Sequence, residues 1–130
     1  METRHVSIEA ALALHATVLQ LTNGTLGVRD MGSLLGCLER PKTVLGGKEM
    51  FPTLFLKVAA LTETIARNHP FIDGNKRGAH LIGRELLVLN GYDLEPKPGE
   101  IEKFMLWIVT QKPPLEEIAA WLEKNSKTIQ

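Results

Sequence analysis

Residues 69–77 read HPFIDGNKR, and this short stretch lies between the two longest helical patterns of the chain. Before it, apolar residues recur at helical spacing from Met50 to Asn68. After it, a second apolar pattern runs from the Asp73-Gly74 turn to Asn90-Gly91, where the glycine favours a helix end. The second pattern is apolar almost all round, which predicts that this helix lies at the centre of a helical bundle.

The rest of the chain shows the same helical periodicity, with capping residues at the expected starts. Four further helices are predicted: from Ser7 to about Leu21, from Asp30 to Arg40-Pro41, from Glu100 to about Val109, and from Leu115 to about Leu122. The sequence therefore predicts a single all-α domain, 1–130, built as a compact bundle of about six helices without a convincing β-sheet. The last few residues are the one candidate for a disordered tail.

Residues 42–48 contain Gly46-Gly47 and have the composition of a turn. They predict a short flap loop or hairpin. If this flap lies beside the loop at 69–77, it could pair with an extended segment of a protein substrate, although an idle surface loop explains the same residues.

The composition excludes several classes of protein. Lysine plus arginine equals aspartate plus glutamate at 15 each, so no whole-molecule field favours nucleic acid or an anionic membrane. The single Cys37 excludes an internal disulfide and a cysteine-based zinc site. No signal-peptide pattern and no apolar run of membrane-spanning length is present. We therefore expect a cytoplasmic protein that binds neither nucleic acid nor a membrane directly.

The loop at 69–77 combines groups that bind a phosphate. Unpaired N–H groups at a helix N-terminus attract anions, and Gly74 permits close approach. Asn75 adds an amide donor, while Lys76 and Arg77 add two positive charges. Asp73 is either a ligand for a hard cation such as Mg²⁺ or the N-cap of the next helix. A solvated turn without a ligand is the structural alternative.

His69 is the candidate general base. An imidazole titrates near pH 6.5, so its neutral form is available to take a proton from a hydroxyl group. Because Pro70 disfavours the α region for the residue before it, we expect His69 in an extended conformation.

Phe71 is expected to pack in the core, and His15 to be a core or rim histidine with a hydrogen-bonded ring. Asp30 is a candidate N-cap for the helix that follows it, but Arg29 and Asp30 are expected instead to be a charged pair that pins this loop against the domain.

Seven residues of this stretch resemble the signature of the Fic/Doc superfamily, and in detail they are similar to its death-on-curing (Doc) branch: His69, Phe71, Asp73, Gly74, Asn75, Lys76 and Arg77. The resemblance extends over nearly the whole chain, through Gly27-Val28-Arg29-Asp30, Asn90-Gly91-Tyr92, Glu116-Glu117 and Trp121-Leu122. Gly78 departs from the family pattern, in which threonine or alanine is commoner, and Gly83 lies unexpectedly inside the following helix.

The resemblance implies an all-α Fic fold and an enzyme that modifies a hydroxyl side chain of a target protein. It implies that His69 is the general base and that Asp73 is the Mg²⁺ ligand or an orienting acid. It also implies that Asn75, Lys76 and Arg77 bind the phosphates of ATP, with Gly74 in the same phosphate-binding turn.

Two positions bear on which group is transferred. Fic enzymes that transfer AMP have glycine in place of Lys76 and arginine in place of His80. The lysine side chain fills space that a diphosphate would need if the α-phosphate were attacked, so the resemblance favours transfer of the terminal phosphate. The Doc branch phosphorylates elongation factor Tu and stops translation, which makes that factor the expected target. AMP transfer and a catalytically idle member that binds nucleotide or antitoxin are the alternatives.

Inhibition is expected to come from a second protein. Fic proteins are commonly restrained by a helix with Ser or Thr four residues before Glu, and this chain lacks that spacing. The resemblance therefore implies a toxin-antitoxin pair with a Phd-like antitoxin, a segment of which folds as it docks on an apolar groove.

Overall fold

The computed structural model describes residues 2–129. Its helices are α1 (Ile8–Thr22), α2 (Met31–Glu39), α3 (Leu54–Asn68), α4 (Asn75–Leu89), α5 (Glu100–Gln111) and α6 (Leu115–Lys124), with a 3-10 turn at Arg40–Lys42. Its strands are β1 (Val44–Leu45), β2 (Lys48–Glu49), β3 (Tyr92–Leu94) and β4 (Ser126–Thr128). The described part of the chain is therefore an all-α fold of six helices, as the sequence predicts. None of these helices is long and apolar enough to cross a membrane.

Side chains next to the helices determine where several of them begin. The Ser7 hydroxyl and the Asp30 carboxylate each accept a hydrogen bond from an N–H group of the first turn, which confirms both predicted N-caps. Asn23 ends α1 in the left-handed conformation, with φ of 56°. α3 begins later than the predicted Met50, because the Thr53 hydroxyl caps its first turn.

The centre of the bundle is α3, so the prediction that α4 is central is wrong. α3 is buried over 57–62 and 64–66 and packs against α2, α4, α5 and α6. α4 buries one face only, which comprises Gly78, Ala79, Ile82, Gly83, Leu86 and Leu87. Its other side carries Arg84, whose guanidinium donates hydrogen bonds of 2.7 and 2.8 Å to the Asp93 carboxylate of β3.

α3 and α4 approach each other closely at Gly83. A Cβ atom at this position would overlap the hydroxyl oxygen of Thr62. Glycine costs a helix about 1 kcal/mol relative to alanine, but here it permits the close packing of the two helices that flank the loop at 69–77.

The predicted hairpin exists, but it does not lie beside that loop. β1 and β2 are antiparallel, with Val44 opposite Glu49. Glu49 forms an ion pair of 3.0 Å with Lys57 in the first turn of α3, whereas His69 lies at the other end of that helix, about 18 Å farther along its axis. Strand pairing by the hairpin therefore does not place a substrate at His69.

Ser126–Thr128 form a strand near the C-terminus, so the prediction of a disordered tail is wrong for these residues. β4 pairs antiparallel with β3, with Leu94 opposite Ser126 and Tyr92 opposite Thr128. This pairing joins segments that are far apart in sequence, and local periodicity carries no information about such partners.

Candidate active site

His69 ends α3 in the left-handed conformation, with φ of 50° and ψ of 57°. Its N–H donates to the Ile65 carbonyl at 3.2 Å, as in a helix C-terminus that closes through a left-handed residue. The expected extended conformation is therefore wrong, although Pro70 does end the helix. The conformation is uncommon for a residue with a side chain, and it requires support from the surrounding structure.

Arg29 supplies that support. Its Nε donates to the His69 carbonyl and its Nη2 to the Asn68 carbonyl, each at 2.7 Å. These carbonyls lie at the negative end of the α3 dipole, where a cation is stabilising. The guanidinium therefore binds the helix end, and the predicted pair with Asp30 is wrong because that carboxylate caps α2.

Residues 25–30 run alongside the loop, and we call them the strap. Val28 forms an antiparallel bridge with Phe71. The N–H groups of Arg29 and Asp30 donate to the Pro70 carbonyl at 2.8 and 3.1 Å, and that of Ile72 donates to the Gly27 carbonyl at 3.1 Å. The strap therefore determines the path of the loop main chain.

Asp73 does not cap α4, so the alternative prediction that it is the N-cap of this helix is wrong. The N-cap is Gly74, which has φ of 74° and makes no side-chain cap. The Asp73 carboxylate instead accepts a 2.9 Å hydrogen bond from the Thr25 N–H of the strap. Asp73 is exposed, so its carboxylate remains accessible to a ligand.

The side chain of Asn75 is occupied by the loop itself. Its Oδ1 accepts from the Phe71 N–H at 2.9 Å, and its Nδ2 donates to the Phe71 carbonyl at 3.0 Å. Phe71 is buried, as predicted. In this structure the amide of Asn75 therefore shapes the turn that precedes Lys76 and Arg77.

Five of the predicted site residues line one cavity of about 430 Å³, which we call the loop cavity: Asp73, Gly74, Asn75, Lys76 and Arg77. Lys76 and Arg77 are exposed in the first turn of α4, and neither forms an ion pair within residues 2–129. Two full charges add to the partial charge of the helix N-terminus, so the loop cavity can bind an anion.

A larger groove of about 550 Å³ continues from the loop cavity between α1, α4 and α5. Both spaces are lined by Val18, Lys76 and Arg77, but the groove is otherwise mainly apolar: Leu21, Leu81, Ile101, Met105 and Leu106. His80 lies in this groove. Burial, together with the charge of Arg84, lowers the pKa of His80 despite the nearby carboxylates of Glu102 and Asp93.

His69 lines a different cavity, of about 490 Å³, which we call the histidine cleft. Ile108, Val109, Lys112 and Pro113 form its other wall, at the end of α5. The structure therefore brings Asp73 to Arg77 together in one cavity and places the predicted base in a separate, neighbouring one.

The sequence that builds this site matches the model of a protein family. The model of the Fic/DOC family matches residues 5–87, which include the strap, α3, the loop and most of α4. The chain belongs to the Fic/DOC family. The Toxin Doc of Mycolicibacterium smegmatis (strain ATCC 700084 / mc(2)155) is 38% identical to it over 101 residues, which are 76% of this chain and 78% of that protein.

The sequence does not reveal that two residues of this Fic/DOC chain, His15 and Arg29, hold the main chain of the loop in place. The sequence correctly indicates that His15 is a buried, hydrogen-bonded histidine, but its partner, the Asp73 carbonyl, is visible only in the fold. The contacts of Arg29 with the Asn68 and His69 carbonyls are likewise visible only in the fold. The available signal for Arg29 was its place in the Gly27-Val28-Arg29-Asp30 motif, which carried part of the family resemblance.

Proposed function

We propose that this protein is a cytoplasmic toxin that transfers the terminal phosphate of ATP to a hydroxyl side chain of a translation factor, with elongation factor Tu as the target. The name of its relative, Toxin Doc, supports a toxin. The observation that carries the enzymatic proposal is the loop cavity, in which an exposed carboxylate and two cations without an ion-pair partner among residues 2–129 surround a helix N-terminus.

The loop cavity suits the phosphates of a magnesium nucleotide. Lys76 contributes a point charge and Arg77 a planar fork that can bind two phosphate oxygens. Mg²⁺ prefers carboxylate and phosphate oxygens and keeps several waters, so the single exposed carboxylate of Asp73 fits a metal shared with the nucleotide. When bound, Mg²⁺ would neutralise charge on the phosphates.

His69 would act on the acceptor hydroxyl. The side chain takes the hydroxyl proton as the oxygen bonds to the terminal phosphorus and the bond to the bridging oxygen breaks, which releases ADP. His69 is exposed at the histidine cleft, whose apolar wall from α5 can contact a segment of a protein substrate. The loop at 69–77 lines both the histidine cleft and the loop cavity, so it would bring the acceptor hydroxyl together with the terminal phosphate of ATP.

The mainly apolar groove supports transfer of the terminal phosphate over transfer of AMP. A nucleoside can bury its base among Leu81, Ile101 and Met105, whereas the phosphates find their charged partners, Lys76 and Arg77, only where the groove meets the loop cavity. With the nucleoside in the groove, the terminal phosphate lies at the loop end of the nucleotide. Lys76 then neutralises the phosphate that reacts.

The decisive experiment follows label from ATP into purified elongation factor Tu. We expect label from the γ-position, none from the α-position, and an added mass of one phosphate. His69→Ala should abolish the transfer, whereas His5→Ala, which changes a histidine remote from the loop, should not. Label from the α-position alone would assign the protein to the AMP-transferring Fic enzymes.

An antitoxin is the second partner that we propose. The groove is bordered by Leu21 and Leu106, which are 80% and 55% exposed. An amphipathic segment of a Phd-like antitoxin could fold on this surface and reach Lys76 and Arg77, so that inhibition and nucleotide binding would compete. Leu106→Glu should weaken the antitoxin complex, whereas the same change at the exposed Ala120 should not.

A catalytically idle, binding-only protein is the second candidate function. The observation that favours it is the separation of His69 from the cavity that contains Lys76 and Arg77. The two functions differ in growth assays. The kinase proposal expects His69→Ala to remove growth arrest, whereas arrest that persists in this variant would support the binding-only function.

A further inference from the structure

His15 connects α1 to the loop at 69–77. Its side chain is 1% exposed, and its ring stacks on Phe71 with centroids 3.7 Å apart and planes 8° from parallel. Its Nε2 atom lies 2.7 Å from the carbonyl oxygen of Asp73. Because a carbonyl oxygen only accepts, Nε2 carries the hydrogen in this contact.

This contact determines where the next N–H group points. The peptide bond between Asp73 and Gly74 is trans, like the others in residues 2–129, so its C=O and N–H point in opposite directions. The C=O points at the buried ring of His15, and the N–H of Gly74 therefore points away from the core. Gly74 lines the loop cavity, and no group within residues 2–129 accepts a hydrogen bond from its N–H.

We infer that His15 is a positioning residue for phosphate binding. By binding the Asp73 carbonyl it aims the N–H of Gly74 at the nucleotide phosphates and fixes the main chain that carries the Asp73 carboxylate. The inference rests on the proposed function, since it assigns a role within the same nucleotide site. His15 itself does not contact the nucleotide.

Gly78 fits this arrangement. A Cβ atom at Gly78 would lie 3.4 Å from Cε2 of Phe71 and 3.5 Å from Cδ2 of His15, so a longer side chain would press on the stacked rings. Because these distances are ordinary van der Waals contacts, glycine or alanine at this position leaves the His15 ring in its hydrogen-bonding position, and only atoms beyond Cβ would displace it.

The test compares replacements of His15 that keep or lose the donor. His15→Gln keeps an N–H group near the position of Nε2, whereas His15→Phe keeps a flat ring without a donor. We expect the affinity for Mg-ATP, measured by calorimetry, to fall about tenfold in His15→Phe and to stay within about twofold of wild type in His15→Gln. His15→Met matches glutamine in length without a donor, and it replaces the phenylalanine variant if that protein does not fold.

Two further readouts separate positioning from a general loss of structure. The amide resonance of Gly74 should shift on addition of Mg-ATP in wild type and His15→Gln, and much less in His15→Phe or His15→Met. The KM for the acceptor protein should not change. His5→Gln is the matched control, because His5 lies outside the loop cavity and the groove.

The outcomes distinguish this inference from the proposed function. Equal Mg-ATP affinity in donor and non-donor variants would overturn the role of His15 and leave the proposed function intact. A wild-type protein that bound no Mg-ATP would overturn the proposed function, and with it the role of His15.

Discussion

The guanidinium of Arg29 donates a 2.7 Å hydrogen bond to the main-chain carbonyl of His69. Arg29 is an exposed residue of the strap, and it thereby stabilises the left-handed conformation of the candidate base, His69. A helix end by itself does not require a histidine to adopt this conformation. The strap and the loop consequently form one unit, although they are separated in sequence by α2, the hairpin and α3.

Replacement of Arg29 by alanine should therefore destabilise the end of α3. The variant loses two charge-assisted hydrogen bonds to carbonyl groups, so we expect a loss of about 2 kcal/mol in the free energy of unfolding and lower phosphate transfer. Urea unfolding measures the first effect and initial rates the second. Arg4→Ala, which changes another exposed arginine, should be neutral; equal stability of both variants would contradict the role of Arg29.

Replacement of Gly83 by alanine should destabilise the packing of α3 on α4. The added methyl group meets the Thr62 hydroxyl, so we expect a cost of about 1–3 kcal/mol despite the better helix propensity of alanine. Combining it with Thr62→Ala should recover part of that cost, which a double-mutant cycle measures. Gly36→Ala in α2 meets open space and should stabilise the protein by about 0.5–1 kcal/mol; the same gain at Gly83 would contradict this account.

Glu63 should contribute stability that disappears in acid. Burial raises the pKa of its carboxyl, but hydrogen bonds from Arg67 and Arg40 outweigh that effect and hold the pKa below its ordinary value. A carboxyl with a lowered pKa in the folded state stabilises the protein above its unfolded pKa, about 4.3, and loses this contribution as the pH falls through the folded pKa.

The corresponding measurement compares Glu63→Gln with wild type in urea at several pH values. The variant should be less stable by about 1 kcal/mol at pH 7, and the difference should shrink below about pH 4. Glu123→Gln, at an exposed position of α6, provides the control. A difference that stays constant from pH 7 to pH 3 would show that the charge of Glu63 is not the cause.

Removal of the Lys76 charge should weaken nucleotide binding and its dependence on salt. Lys76 is exposed and unpaired in the described structure, so Lys76→Gln should leave the melting temperature nearly unchanged. We expect about a tenfold rise in the KM for ATP and a flatter response to ionic strength. Lys97→Gln tests an exposed lysine away from the loop. Unchanged KM in Lys76→Gln would argue against phosphate binding at this position.

Helical periodicity and capping residues were sufficient to predict the six helices. Ser7, Asp30 and Asn23 act within one turn of their own positions, so their effects are local and readable from sequence. Periodicity did not show which helix is central, because an apolar helix with a polar face can lie at the centre of a helical bundle or at its edge. α3 is central through packing against four other helices, and no single segment records that packing.

Part of the candidate site could likewise be predicted from the sequence, and part could not. The sequence by itself determined that a histidine, a carboxylate and two cations lie in one short stretch at the junction of two helices, because short spacing and the turn at Asp73-Gly74 leave few other arrangements. Only the tertiary structure decided that Arg29 and His15 bind the main chain of this loop, and that His69 and Lys76 line separate cavities. The physical reason is that these contacts are hydrogen bonds to backbone carbonyls, which every residue possesses, so their partners are selected by position in the fold and not by residue type.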